Sequence, residues 1–289
     1  MSDHDDADLH SHSSESDGTV RPKELVGLAA EAGLKYLGLT DHDTTSGIDE
    51  AAGALPRGLT LLPGAELSCS VTVNDRPRTV HVLAYLFNRE NPALGEVMGR
   101  VRADRERRAR EIVALLAADG HRVTWEAVQA LAGTGSIGKP AIAQALVNVG
   151  ALADVGAAWT PEWLASGGRY HVPKWQPDAI DAIRLVEAAG GVTVLAHPLR
   201  KDRGGLLTDQ HLAMLAAAGL FGIEVFHPEH DAEQQRRLRG LAADLGVEAT
   251  GGSDYHGDRK PQPLGAHRTS REVVERLIAS ASGATPIRG

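Results

Sequence analysis

Tyr36-Leu37-Gly38-Leu39-Thr40 runs without a break into Asp41-His42-Asp43. A short apolar run of this kind has the length of a strand buried on both faces, and the polar triplet at its exit is either a turn or a site. Upstream, an extended element at Ala7–Ser11 is followed by a helix that Pro22 opens, that continues through Ala32 and that Gly33 stops. Downstream come a helix from about Gly47 to Ala54, a strand at Leu59–Leu62 and another at Val80–Leu86. Strand and helix therefore alternate, which predicts an α/β barrel or layered fold. From Asn91 to about Gly168 the chain reads as helices only, including a long arginine-rich one from Glu96 to Asp119, a short one capped by Thr124, and one opened by Pro140. The alternation resumes at Pro177, with strands at Val192–Ala196, Gly222–Phe226 and Val247–Thr250. Residues 1–90 and 172–289 are thus expected to form one discontinuous barrel, and residues 91–171 a helical insertion that caps the substrate.

Metal-ligating residue types recur where these strands end. Asp8, His10 and His12 share one parity, so an extended backbone turns all three to one side. Both imidazoles could bind one metal, with Asp8 orienting them. Glu66 follows Leu59–Leu62, His81 sits in Val80–Leu86, His197 ends Val192–Ala196, and Asp254 and His256 follow Val247–Thr250. Each residue alone reads equally well as a turn, a cap or a satisfied core histidine. Their shared position at the face where α/β barrels carry their chemistry argues for a metal centre. Mixed nitrogen and oxygen donors suit manganese, iron or zinc. Among the 13 histidines, His4 and His211 read as surface residues.

Composition narrows the class. A chain of 289 residues buries a core large enough to need no disulfide, and its single cysteine, Cys69, allows none within the chain. That usage fits a reducing cytoplasm. No apolar stretch spans a bilayer, and the acidic first eight residues lack the apolar core of a signal peptide. A formal net charge of -8 and an aromatic content of 4% disfavour broad nucleic-acid binding and base-stacking platforms.

The segments DLHSH, SDGT, LTDHDT, PGAE, VHVLAY, LAHP and GGSDYHG, in that order from Asp8 to Gly257, resemble the PHP (polymerase and histidinol phosphatase) domain family. That resemblance implies a distorted (β/α)7-type barrel and a metal-dependent phosphoesterase. AGGVTVLAHP, GIEVFHPEH and the helical insertion look like the branch acting on nucleoside 3′,5′-bisphosphates, some members of which are 5′-to-3′ exoribonucleases on short RNA. Carried over residue by residue, it implies two to three divalent ions. His10, His12, Glu66 and Asp254 would hold the first. Glu66 would bridge to a second, completed by His81 and His197, and Asp17, His42 and His256 would hold a third. His227 and His230, which also follow a strand end, could contact the phosphate or protonate the leaving oxygen, or else hold a neighbouring side chain or a helix start; most arginines of the long helix read as solvated, while Arg102, Arg105 and Lys139 could grip a second phosphate. One departure concerns that grip: the branch carries Gly-Arg-Pro-His where this chain reads Gly138-Lys139-Pro140-Ala141. Lysine keeps the charge but loses the bidentate fork of arginine.

The expected substrate is a phosphorylated nucleotide or short RNA, with no stable protein partner implied. Competing readings are a histidinol-phosphate or other small-molecule phosphatase of the same fold, a non-catalytic metal-binding module, and an amidohydrolase acting on C–N bonds. The intact ligand set weighs against the second, and the lack of a bridging lysine against the third.

Overall fold

The computed structural model describes residues 5–133, 135, 137–199 and 207–289. Two compact units emerge, one of residues 1–98 with 176–289 and the other of residues 99–175. In the first, β1 (Asp5–Ser11), α1 (Pro22–Glu31), β2 (Tyr36–Leu39) and α2 (Ile48–Gly53) lead into β3 (Thr60–Val73). β1, β2 and the start of β3 lie side by side and parallel, with Ala7 opposite Tyr36 and Tyr36 opposite Thr60. Pro22 begins α1, and Leu25, Val26 and Ala29 on its inner face pack with Leu37, Leu39 and Leu61 of the sheet. Each such leucine contributes about 1.5–3 kcal/mol by leaving water.

One element departs from the expected alternation. β3 does not stop at Leu62 but continues to Val73, turns at Asn74-Asp75 and returns as β4 (Arg76–Tyr85). The paired positive φ angles of Asn74 (49°) and Asp75 (58°) make the two-residue turn whose twist suits a hairpin. Leu67, Cys69, Val71 and Val73 are buried on one face, alternating with Ser68, Ser70 and Thr72. β4 is consequently antiparallel to β3, and the strand Val192–Ala196 is antiparallel to β4. Glu66, expected past the end of a strand, stands inside one.

The second unit holds most of α3 (Pro92–Ala118), then α4 (Trp125–Ala132) and α5 (Lys139–Asn148). The division falls inside α3 rather than ahead of it. Ile112, Leu116, Val128, Ile142, Leu146 and Leu164 form its core. Thr124 caps α4 by accepting from the Ala127 amide at 3.2 Å. On α3, Arg107 pairs with Asp104 and Glu111, and Arg110 with Glu106, as expected of a solvated helix face.

The first unit then resumes with α6 (Ala179–Ala188), β5 (Val192–Ala196), α7 (Asp209–Ala217), β6 (Gly222–Phe226), α8 (Ala232–Leu245) and β7 (Glu248–Gly251). β8 (Thr269–Ser270), α9 (Arg271–Ser280) and β9 (Ile287–Arg288) close the chain. The sheet order is β7-β6-β5-β4-β3-β2-β1-β8, with β9 beside β3. Thr269 Oγ1 accepts from the Gly251 amide at 2.7 Å and donates to its carbonyl at 2.8 Å, so one side chain stitches β8 to β7 and nearly closes the barrel. Val80, Val82, Leu195, Ile223, Val225 and Leu238 belong to the core under α6, α7 and α8. No helix among the described residues is long and apolar enough to cross a membrane.

Candidate metal centre

β1 brings His10 and His12 to the centre, both fully buried. Their Nε2 atoms face each other at 3.1 Å. They also face carboxylates: His12 Nε2 lies 3.1 Å from Glu66 and 3.4 Å from Asp254, and His10 Nε2 3.3 and 3.5 Å from the same pair. Two imidazole lone pairs converging on one point need a shared cation or proton between them. Asp8, of the same parity, does not touch either ring. Its carboxylate accepts from the backbone amides of His10 (3.2 Å), Ser253 (3.0 Å) and Gly265 (2.8 Å), tying β1 to the loop that carries Asp254. Burial pushes the Asp8 carboxyl up, against those hydrogen bonds.

Glu66 is the hub. Oε1 lies 2.5 Å from His81 Nδ1 and 3.0 Å from His197 Nε2, and Oε2 lies 3.1 Å from His42 Nδ1. Five imidazoles thus surround one carboxylate that is 1 % exposed. Burial alone would raise it, but His42, His81 and His10 hold it well below the usual carboxylate range. Reciprocally, burial would lower His12, yet Asp254, Glu66 and Asp17 raise it to about 9. Asp17 comes from the loop after β1 and meets His256 at 3.1 Å and His12 and His42 at 3.7 Å.

The nine side chains expected as ligands fall into four overlapping groups, each with donor atoms within 4.8 Å of one another: His12, Asp17, His42 and His256; His10, Glu66 and His197; His10, His12 and Asp254; His42, Glu66 and His81. This donor set fits divalent manganese, iron or zinc. All nine belong to the barrel unit.

Carboxylates that join none of these groups hold the loops. Asp41 accepts from the Ser13 amide (2.8 Å), Ser13 Oγ (2.6 Å) and Ser16 Oγ (2.5 Å). Asp43 accepts from the amide and hydroxyl of Ser68 at 2.8 and 2.9 Å. His42, between them, is left to face Glu66. Asp43, His197 and Asp254 all have positive φ (55°, 29° and 51°), a conformation that non-glycine residues adopt only when their surroundings fix it.

The two histidines beyond β6 separate. His227 Nδ1 accepts from the Glu229 amide at 3.1 Å, which leaves the proton on Nε2, 3.2 Å from Asp254 Oδ2. His230 turns away from the centre: Nδ1 donates to the Val225 carbonyl at 3.0 Å, and Nε2 accepts from the Leu199 amide at 3.3 Å. Both ring nitrogens of His230 are thus engaged by backbone groups. Lys139 donates to the Leu164 carbonyl, and burial together with Arg108 lowers it to about 8. Arg102, Arg105 and Lys139 all lie in the helical unit. His211 is half-buried and forms a capping box with Thr208, while His4 lies outside the described residues.

Two contributors escaped the sequence reading. Lys260 reaches Asp254 Oδ2 at 2.5 Å. Glu224, inside β6 and 1 % exposed, accepts from His10 Nδ1 at 2.9 Å through Oε1 and from the His197 amide at 2.8 Å through Oε2. Burial would raise Glu224, but His10, His227 and His197 bring it down to about 2.

Residues 8–129 match the PHP domain model. A 3′,5′-nucleoside bisphosphate phosphatase of Chromobacterium violaceum is 34% identical over 251 residues, 86% of each chain. The chain belongs to the PHP domain family. This PHP protein is also 33% identical to a 5′-3′ exoribonuclease of Haemophilus influenzae, over 86% of this chain and 89% of that one. A phosphoribosyl 1,2-cyclic phosphate 1,2-diphosphodiesterase of Eggerthella lenta is 32% identical, over 86% and 94%. Among solved structures, one from Bifidobacterium adolescentis, ascribed to a metal-dependent phosphoesterase, superposes with a TM-score of 0.86 at 35% identity, covering 96% of each chain. The PHP barrel and its donor-rich centre make this protein a metal-dependent phosphoesterase.

Proposed function

We propose that this enzyme removes the 3′-phosphate from nucleoside 3′,5′-bisphosphates, giving a 5′-mononucleotide and phosphate. The observation that carries the reading is the nine-residue donor cluster around Glu66, in a chain whose relatives are named for nucleotide and RNA phosphoester cleavage. In this reading His10, His12, Glu66 and Asp254 would hold one ion, Glu66 with His81 and His197 a second, and Asp17, His42 and His256, beside His12, a third. Bound divalent ions supply a nucleophile from water at neutral pH and offset charge on the attacking and leaving oxygens.

The chain's own residues do the remainder. Glu66 gathers five imidazoles around one carboxylate, which would fix the spacing of the ions. His227 Nε2–H, next to Asp254, can donate a hydrogen bond to the phosphate or to the leaving 3′-oxygen. Lys139, Arg102 and Arg105 are cations suited to the phosphate that is not cleaved. Short 5′-phosphorylated RNA presents the same chemistry as a chain of diesters and is a second substrate of this reading. The enzyme acts in the cytoplasm.

The test is phosphate release by manganese-loaded protein from adenosine 3′,5′-bisphosphate, with Glu66→Ala as control. Release that vanishes in the control supports the reading. Hydrolysis of histidinol phosphate or phosphoribosyl 1,2-cyclic phosphate, with none of the bisphosphate, refutes the substrate and leaves the chemistry.

A further inference from the structure

We propose that Glu224 is a positioning residue that fixes two metal ligands at once, His10 by its ring and His197 by its backbone. The inference rests on the metal centre proposed above and adds to it a residue outside every donor group. Glu224 lies in β6, where Ile223 and Val225 on either side face the outer core and Glu224 faces the centre. Its two oxygens have separate duties. Oε1 accepts a hydrogen bond from His10 Nδ1 at 2.9 Å, which leaves the Nε2 lone pair of His10 pointing at His12, Glu66 and Asp254. Oε2 takes the His197 amide at 2.8 Å, at a residue whose φ of 29° needs an external hold. His10 and His197 share a donor group with Glu66, so one carboxylate sets the spacing of ligands that meet across the bridge. Gly252 closes the arrangement: a methyl there would run into His10 and sit 3.1 Å from Glu224 Oε1.

The double duty makes Glu224→Gln, an isosteric change, informative. An amide has one acceptor oxygen. If that oxygen serves the His197 amide, the NH2 group faces His10 Nδ1 and drives the ring proton to Nε2, where it blocks the metal. If the oxygen serves His10, the NH2 group opposes the His197 N–H and releases its strained backbone. Either way one ligand is lost while side-chain volume is kept.

The experiment compares wild-type and Glu224→Gln protein by manganese titration against a chromophoric chelator, by the visible spectrum of the cobalt(II) form, and by thermal unfolding of the metal-free form. The expected result is a 10–100-fold weaker affinity for at least one ion and an altered cobalt spectrum, the range typical for losing a hydrogen-bond partner of a ligand. Equal affinity, stoichiometry and spectrum would overturn the proposal. Wild-type protein that binds no metal would instead sink the metal centre itself. If the variant does not fold, nitrogen-15 histidine spectra of the zinc-loaded wild type decide. A slowly exchanging proton on His10 Nδ1 supports the role, and a rapidly exchanging one excludes it.

Discussion

Replacing Glu66 by glutamine keeps its shape and removes the one negative charge that five imidazoles share, so the metal-free protein should lose stability in a pH-dependent way. Glu66 is held well below its ordinary value, so its contribution is present above about pH 4.5 and disappears as the pH falls through the lower, folded value. His12 is raised from 6.5 to about 9, so its contribution is complete below pH 6.5 and disappears as the pH climbs through about 9. The attraction between them therefore operates fully from about pH 4.5 to 6.5 and fades by about pH 9. A rise of this size in His12 corresponds to roughly 3 kcal/mol, shared among Asp254, Glu66 and Asp17. Glu66 also faces His10, His42, His81 and His197, and stranding one side of a buried ion pair costs roughly 3–5 kcal/mol. At pH 6, Glu66→Gln should then cost about 3 kcal/mol, or roughly 6–12 °C in Tm. At pH 9.5 His12 has largely lost its charge, so its share of the loss disappears and the cost of Glu66→Gln should be smaller than at pH 6. Calorimetry of chelator-stripped protein at both pH values measures this. A Tm loss that is equal at the two, or larger at pH 9.5, would refute the claim that charge holds the empty centre together.

Other consequences are open to measurement. His81→Ala should lower bound manganese by one equivalent by elemental analysis, with phosphate release falling at least about a hundredfold, because a bridged pair of ions becomes a single one. Stripping the metal from wild type should abolish hydrolysis and lower Tm, and manganese at a thousand times its Kd should return about 4 kcal/mol of stability. Gly252→Ala should displace His10 and cost roughly 1–3 kcal/mol by overpacking, and calorimetric titration should read weaker metal binding alongside it. Lys139→Ala should raise KM for adenosine 3′,5′-bisphosphate about tenfold with kcat nearly unchanged, the pattern of lost uniform binding. His230→Gln should lower Tm without changing the kcat of the folded fraction, whereas His227→Gln should lower kcat.

The candidate ligands were legible because strand geometry is periodic. His10 in β1 and His12 just past its end share parity, and His42, His197, Asp254 and His256 stand where apolar strands end, which is a local pattern. Asp17 has no such pattern, since it lies in a loop whose course is set by Asp41, 24 positions on, through Ser13 and Ser16. Glu224 reads as an interruption of Gly222–Phe226, and its meaning depends on a histidine 214 residues away. His230 makes the opposite point: it follows a strand exactly as a ligand would, yet its ring is taken up by the Val225 carbonyl and the Leu199 amide. Local spacing can deliver a histidine to a strand end but does not fix which neighbour its ring meets. The β3–β4 hairpin was written in the alternation of Leu67 to Val73 and the Asn74-Asp75 turn, but a strand ended at Leu62 masked it. Gly64 is there because a Cβ at that position would meet the Ala84 carbonyl of the neighbouring strand at 2.6 Å.

Asp8, Asp41, Asp43 and Glu224 join none of the donor groups, yet each accepts at least two hydrogen bonds from the segments that carry the ligands. Asp8 ties β1 to the Asp254 loop, Asp41 ties the Asp17 loop to the end of β2, Asp43 ties that end to β3, and Glu224 ties β6 to both His10 and His197. The strained backbones of Asp43, His197 and Asp254 sit among these ties. Strain of that kind costs of order 1–3 kcal/mol per residue and persists only where the surroundings over-determine it. Protein hydrogen bonds are among those surroundings and tie each segment that carries a candidate ligand to its neighbours. An ion entering the centre has to displace the protons that the carboxylates draw onto His10 and His12, which makes metal affinity rise with pH.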